Sequence, residues 1–249
     1  MSKARIDKLL VELGLAGSRD RARALILANR VLVDEVPVTK AGAQVSPDAQ
    51  VRIRGDDLPF VSRGGLKLDG ALDDLGLDVT DRVVLDVGAS TGGFTDCCLK
   101  RGASRVFAVD VGRGQLDWSL RNDPRVFCLE RQNARHLEPS MLPGLADLAV
   151  VDVSFISLTK VLEPVCSCLV PGGQVLAMVK PQFEVGREKV GKGGVVRNEA
   201  DRASAVQQVV AYAESIGLEL RGRADSRVAG PKGNLEVFVH LVKGVEGEG

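Results

Sequence analysis

Four charged residues stand where charge is expensive. Lys180 ends the apolar run in "VLAMVKPQF", Asp152 ends the one in "LAVVDVSFIS", Glu236 opens "NLEVFVHLV" and Lys67 lies in "SRGGLKLDGAL". Lysines and carboxylates are costly to bury unless paired, so charge at the end of a core strand means buried ion pairs or chemistry. In an open parallel sheet, ligands bind beyond the carboxyl ends of the strands. Asp152 and Lys180 end successive strands and therefore face one crevice. If the last strand runs antiparallel, its beginning lies at that edge and Glu236 joins them. Lys67, on the helix before the first strand of the series, can lean over the same opening. Two lysines and two carboxylates suit proton transfer. Burial and a second cation lower the pKa of an amine, while carboxylates oppose that shift and orient it. Lys67, Asp152, Lys180 and Glu236 are thus the catalytic candidates. Ion pairs that only stabilise are the competing reading, and such networks stabilise less than apolar packing does.

A second candidate site is "LDVGASTGGFTD" at 85–96. Gly88, Gly92 and Gly93 let the backbone turn tightly and approach a ligand. The loop is not G-x-x-x-x-G-K-[ST], which excludes a P-loop, and it is not G-x-G-x-x-G, which weighs against a dinucleotide. Asp86 precedes the first glycine. Asp110 ends the next strand, about twenty residues on, where a carboxylate can accept from ribose hydroxyls. An acid before the glycines suits a ligand with an amino group and no pyrophosphate, and S-adenosylmethionine (AdoMet) is such a ligand. Ala89, Ser90 and Phe94 in the loop complete the cofactor candidates together with Asn133. For Asn133, after the third strand, an adenine contact and a purely structural role both remain open.

These residues need a scaffold, and the chain reads as two. In residues 1–58, Ile6, Leu9, Leu10 and Leu13 mark one face of a short helix, broken by Gly14 and Gly17. Ser18 caps a second helix through about Ala28, with Arg19, Arg23 and Arg30 on a basic stripe. "VLVDEVPV" reads as two strands around an Asp34-Glu35 turn and "QVRIRG" as another strand. Residues 59–63 read as a connection. From 64 to 245 strands alternate with helices, the pattern of an α/β, doubly wound parallel sheet. Formal net charge is zero, with 33 basic and 33 acidic residues, so any basic surface must be local.

The first segment, from Arg5, Asp7 and Leu9 through "SRDRARALI" to the ribbon, resembles an S4 RNA-binding domain. The likeness makes Arg5, Arg19, Arg23 and Arg30 candidates for RNA contact, with Arg63 and the loop at 187–197 beside the RNA path. Asn29 stands where the family usually has glycine, and Asp34-Glu35 replaces the usual Asn-Gly. "ASTGGFTD" resembles the first motif of the FtsJ-like ribose methyltransferases, whose Rossmann-like fold fits the second segment. "VSRGGLKL", "DVGASTGGFTD", "DVSFISL", "VKPQFEVG" and "GGVVRN" then run in the order of the TlyA family, also called hemolysin A-like. That resemblance implies AdoMet-dependent 2′-O-methylation of cytidine in ribosomal RNA, and it lays the family's Lys-Asp-Lys-Glu tetrad on Lys67, Asp152, Lys180 and Glu236. The chain starts close to the first helix and stops soon after the last strand, as the family's shorter form does. This leads to an expectation of 23S rRNA in the 50S subunit.

Other classes fit less well. A membrane-lytic haemolysin needs a spanning segment, a barrel pattern or a strongly basic amphipathic helix, and the sequence has none of these. A non-catalytic RNA-binding protein would not need an intact tetrad and glycine loop. A nucleotide-dependent oxidoreductase would want a pyrophosphate-binding glycine pattern. The five cysteines and two histidines have no zinc spacing, so no metal is expected. Free cysteines and the lack of a signal peptide fit the cytoplasm.

Overall fold

A computed structural model describes residues 3–54 and 59–244. The expected boundaries at 58 and 245 lie outside the described residues. Contacts divide the chain into two compact units, 1–58 and 59–249.

In the small unit, α1 (Ile6–Glu12) buries Ile6, Leu9 and Leu10. Helix α2 (Arg19–Leu27) starts at Ser18, whose hydroxyl accepts from the Arg21 amide at 3.1 Å, and it buries Ala22, Leu25 and Ile26. The helix stops at Leu27, and Asn29 turns left-handed at φ 58°. Arg30, expected on the helical stripe, is therefore past the helix end, where its Nε donates to the Arg54 carbonyl at 3.0 Å. Strand β1 (Val31–Val33) pairs antiparallel with β2 (Val36–Pro37) and β3 (Val51–Ile53). Asp34 and Glu35 both take positive φ in the β1–β2 turn, as a type I′ hairpin requires. The Asp34 carboxylate accepts from the Gln50 amide at 2.9 Å, and Arg52 Nε donates to Glu35 at 2.6 Å.

The large unit is built on seven strands: β4 (Val83–Val87), β5 (Arg105–Asp110), β6 (Val126–Glu130), β7 (Ala146–Val151), β8 (Leu169–Val179), β9 (Leu218–Asp225) and β10 (Val237–Lys243). They lie in the order β9-β10-β8-β7-β4-β5-β6. The five from β8 to β6 are parallel, while β10 runs antiparallel to both β8 and β9. Side chains alternate along each strand, so the sheet carries two cores. Leu85, Val87, Ala149, Val151, Ala177 and Val179 face α5 (Leu162–Ser167) and α6 (Glu199–Ser215). Val84, Val150, Leu176, Met178 and Phe238 face α3 (Arg63–Leu75) and α4 (Gly93–Lys100).

Residues 59–63, expected as a connection, belong to the large unit. Phe60 is buried in the α3–α4 core, the Val61 amide donates to Asp96 at 2.8 Å, and Arg63 is already helical. An aromatic ring gains most from burial, and the chain makes room for this one. A Cβ on Gly65 would lie 2.3 Å from Phe60 Cγ.

Asp86 shares the α3–α4 face and is fully buried beneath the glycine loop. Its Oδ2 accepts from the Thr95 hydroxyl at 2.6 Å, while Oδ1 has no hydrogen-bond partner among the described residues. Burial pushes its carboxyl up to about 7; the Thr95 hydroxyl opposes the rise and Asp152 adds to it.

Phe60→Ala should cost about 3–5 kcal/mol of stability, the usual range for a buried phenylalanine, read as a lowered denaturant midpoint. A carboxyl raised from 3.8 to about 7 on folding stabilises fully below 3.8, and that stability is lost as pH rises to 7. Asp86→Asn keeps an acceptor for Thr95 and removes the titration. Its stability relative to wild type should improve by on the order of 2 kcal/mol between pH 5 and pH 8, measured by denaturation at both.

Candidate active site

Strand register brings the charged residues together. Asp152 follows Val150, Lys180 follows Met178, and Glu236 precedes Phe238, each by two positions on the α3–α4 face. Val179 is paired with Val237, so Lys180 and Glu236 leave neighbouring strands side by side. Asp152 is one residue past β7, where its amide donates to the Val87 carbonyl at 2.9 Å. Helix α3 delivers Lys67 from above the same face.

Two ion pairs result. Lys67 Nζ is 2.5 Å from Glu236 Oε2. Lys180 Nζ contacts Asp152 Oδ1 and donates to the Ser154 hydroxyl at 2.9 Å. Both lysines and Glu236 are buried, and Asp152 is partly open. All four residues line one cavity of about 280 Å³, together with Arg63, Gly88 and Phe94. Glu236 Oε1 has no hydrogen-bond partner among the described residues, which leaves a buried acceptor for an incoming donor.

A second cavity of about 520 Å³ adjoins the first and shares Gly88, Ser90 and Asp152 with it. Its wall also holds Asp110 and Asn133. Asp110 accepts from the Ser90 amide at 2.8 Å and the Gly112 amide at 2.6 Å, which fixes its carboxylate at the strand end. Gly88 has φ 89°, and a Cβ there would sit 2.5 Å from the Asp152 carbonyl oxygen. The glycine loop thus packs directly on the segment that presents Asp152.

The sequence candidates divide. Gly88, Ala89, Ser90, Gly93, Phe94, Asp110 and Asn133 line one or both cavities. Asn133 also caps a short turn, its Oδ1 accepting from the Arg135 amide at 3.0 Å. Asp86, expected to meet the ligand, lies under the loop because its position on β4 points the side chain at α4. Gly92 turns away too: a Cβ there would strike Leu120 Cδ1 at 2.3 Å, so its smallness serves packing. Among the RNA candidates, Arg63 lines the tetrad cavity, whereas Arg5, Arg19 and Arg23 surround one carboxylate in the small unit.

Three site residues escaped the sequence reading. Ser154 holds Lys180. Glu184 accepts from the Ser157 hydroxyl at 2.5 Å and the Leu158 amide at 2.9 Å, joining the segment after Lys180 to the one after Asp152; burial pushes its carboxyl up. Asn234, two residues before Glu236, accepts from the Val196 amide at 3.1 Å and donates to the Gly194 carbonyl at 2.8 Å. The spacing Asp152-x-Ser154 was the one signal in reach, since a serine two residues beyond Asp152 returns to the same side.

Comparison with known proteins agrees with this architecture. The S4 domain family matches residues 4–51 and the FtsJ-like methyltransferase family matches residues 60–243. The 16S/23S rRNA (cytidine-2′-O)-methyltransferase TlyA of Mycobacterium tuberculosis is 47% identical over 96% of this chain and 90% of its own length. The 23S rRNA (cytidine-2′-O)-methyltransferase TlyA of Campylobacter jejuni is 32% identical over 74% of this chain and 71% of its own. A solved Streptococcus thermophilus protein described as a hemolysin superposes with a TM-score of 0.76, at 42% identity over 98% of this chain and 90% of that one. The chain belongs to the TlyA family, in which an S4 domain precedes an FtsJ-like methyltransferase domain.

Proposed function

We propose that this enzyme transfers the methyl group of AdoMet to the 2′-oxygen of a cytidine ribose in ribosomal RNA. The observation that carries the reading is the pair of ion pairs, Lys67–Glu236 and Lys180–Asp152, in one cavity that opens on the glycine loop. The larger cavity fits AdoMet. Gly88 leaves the close backbone approach that a Cβ would fill, Asp110 offers a fixed carboxylate to ribose hydroxyls, and Val111, Val153 and Ile156 give apolar wall for an adenine near Asn133. Bound there, AdoMet supplies an electrophilic methyl group on a sulfonium centre.

The protein's own residues handle the proton and the alignment. Asp152 and Ser154 take two of the positions around Lys180 Nζ. Once the Lys180 ammonium has given a proton to solvent, its amine can use the remaining position to accept the proton of the ribose hydroxyl as the oxygen–carbon bond would form and the methyl carbon–sulfur bond would break. The Glu236 oxygen that has no partner among the described residues accepts from the substrate, and Lys67 keeps that carboxylate in place. In-line alignment of the acceptor oxygen with the methyl group then needs only two rigid neighbouring cavities. Arg5, Arg19, Arg23, Arg30 and Arg63 are the proposed RNA contacts, and ribosomal RNA as substrate implies work in the cytoplasm.

Both named relatives act on 23S rRNA, which supports 23S rRNA in the 50S subunit as a substrate here. The relative with the higher identity also acts on 16S rRNA, so the 30S subunit belongs in the test. With labelled AdoMet and unmodified subunits, wild type should label 50S RNA. Lys180→Ala should lose at least about a hundredfold in rate, the lower range for a general base, with AdoMet affinity retained. Labelling of 30S RNA as well would extend the substrate to both subunits. Full activity in Lys180→Ala would overturn the lysine's role.

A further inference from the structure

The arginines of the small unit do not project independently. Asp7, in the first turn of α1, has a side chain with no exposed surface. Arg5 grips it as a fork, Nε to Oδ1 at 3.0 Å and Nη2 to Oδ2 at 3.0 Å. Arg19 Nη2 donates to Oδ2 at 3.0 Å, and Arg23 Nε lies 3.7 Å from the same oxygen. The three arginine side chains are nonetheless 42%, 46% and 47% exposed. Arg5 and Arg19 therefore spend part of their donor sets on Asp7, while Arg23 faces it at ion-pair distance and gives Nη1 to Asp20 at 3.2 Å; the rest of each fork is open to solvent. The Arg5 hydrogen bond, ahead of Arg19, holds the Asp7 carboxyl well below the usual carboxylate range, so the anchor stays ionised. Asp7 and Asp20 among three arginines leave a local surplus of one positive charge.

We propose that Asp7 is a positioning residue for RNA, a buried anion that fixes Arg5, Arg19 and Arg23 as a preformed array for backbone phosphates. This rests on the reading of that face as an RNA contact. Arginine is suited to the task because its planar fork can satisfy a carboxylate on one edge and a phosphate on another. Ordering three long side chains before the RNA arrives removes that cost from binding. A surface acting through charge alone behaves oppositely. Deleting an anion beside a polyanion's docking face strengthens such binding and steepens its salt dependence.

The test uses the full chain and unmodified 50S subunits, with equilibrium binding at two salt concentrations and thermal melts to establish folding. Asp7→Asn should bind about tenfold more weakly although it loses a negative charge, the loss expected when two or three side chains must be ordered on binding. AdoMet affinity should not change. Arg5→Lys keeps the charge and loses the fork, and it should weaken binding in the same direction; it decides the matter if Asp7→Asn fails to fold. Binding by the folded Asp7→Asn protein that matches or exceeds wild type would overturn the proposal. The double variant Arg19→Gln, Arg23→Gln separates the two readings. If it binds like wild type, the face is not an RNA surface and both readings fail. If it binds weakly while Asp7→Asn does not, only the role of Asp7 fails.

Discussion

A lysine in the wall of a sheet is stable only where a carboxylate meets it, and strand register decides where that can happen. Val179 opposite Val237 sets Lys180 and Glu236 at one edge, and the parallel β7–β8 pair brings Asp152 beside them. The alternation of side chains does the rest, turning all three toward the helix that carries Lys67. A one-residue slip in β10 would send Glu236 to the opposite face and leave Lys67 buried without its counter-ion. The long apolar ladders that specify this register therefore position the tetrad, although no residue of β7, β8 or β10 lines either cavity.

The same edge must stay rigid on its helical side. Arg101 of the segment after α4 donates to Asp69 at 2.7 Å and to Asp73 at 2.6 Å, and Arg227 donates to Asp74 at 2.5 Å. These ties pin α3 at two points below Lys67. Phe60 packs under the start of that helix, with the Lys100 ammonium 5.4 Å from its ring centre. Ion pairs this exposed contribute little to global stability. Their service is to hold the orientation of a helix whose lysine must meet a carboxylate from a strand nearly at the other end of the chain.

Much of this arrangement was legible in the residues. Charge at the ends of apolar runs located Asp152 and Lys180, one condition, an antiparallel last strand, admitted Glu236, and β10 meets it; Lys67 was reached only from its place on the helix before the first strand. The glycine loop and Asp110 were legible from their distance along the chain. What stayed hidden depended on partners far apart in sequence or on the face a side chain takes. Asp86 has the right place before the glycines, yet strand parity turns it to Thr95. Gly92 reads like its neighbours, yet Leu120 explains it. Phe60 looked like part of a connection because a single aromatic residue has no periodicity to reveal its core. Arg19 and Arg23 read as a basic stripe and RNA candidates, and nothing local shows that Asp7 lies beneath them. Arg30 missed the stripe because the helix ends three residues earlier, at Leu27.

In the proposed reaction Lys180, held by Asp152 and Ser154, takes the proton of the acceptor hydroxyl. The most direct measurement is a structure of the enzyme bound to S-adenosylhomocysteine and an RNA carrying the target ribose. The 2′-oxygen should lie about 3 Å from Lys180 Nζ, within hydrogen-bond reach, and in line with the sulfur that has lost its methyl group. A 2′-oxygen held by another group, with Lys180 and Asp152 still closed on each other and out of reach, would contradict it.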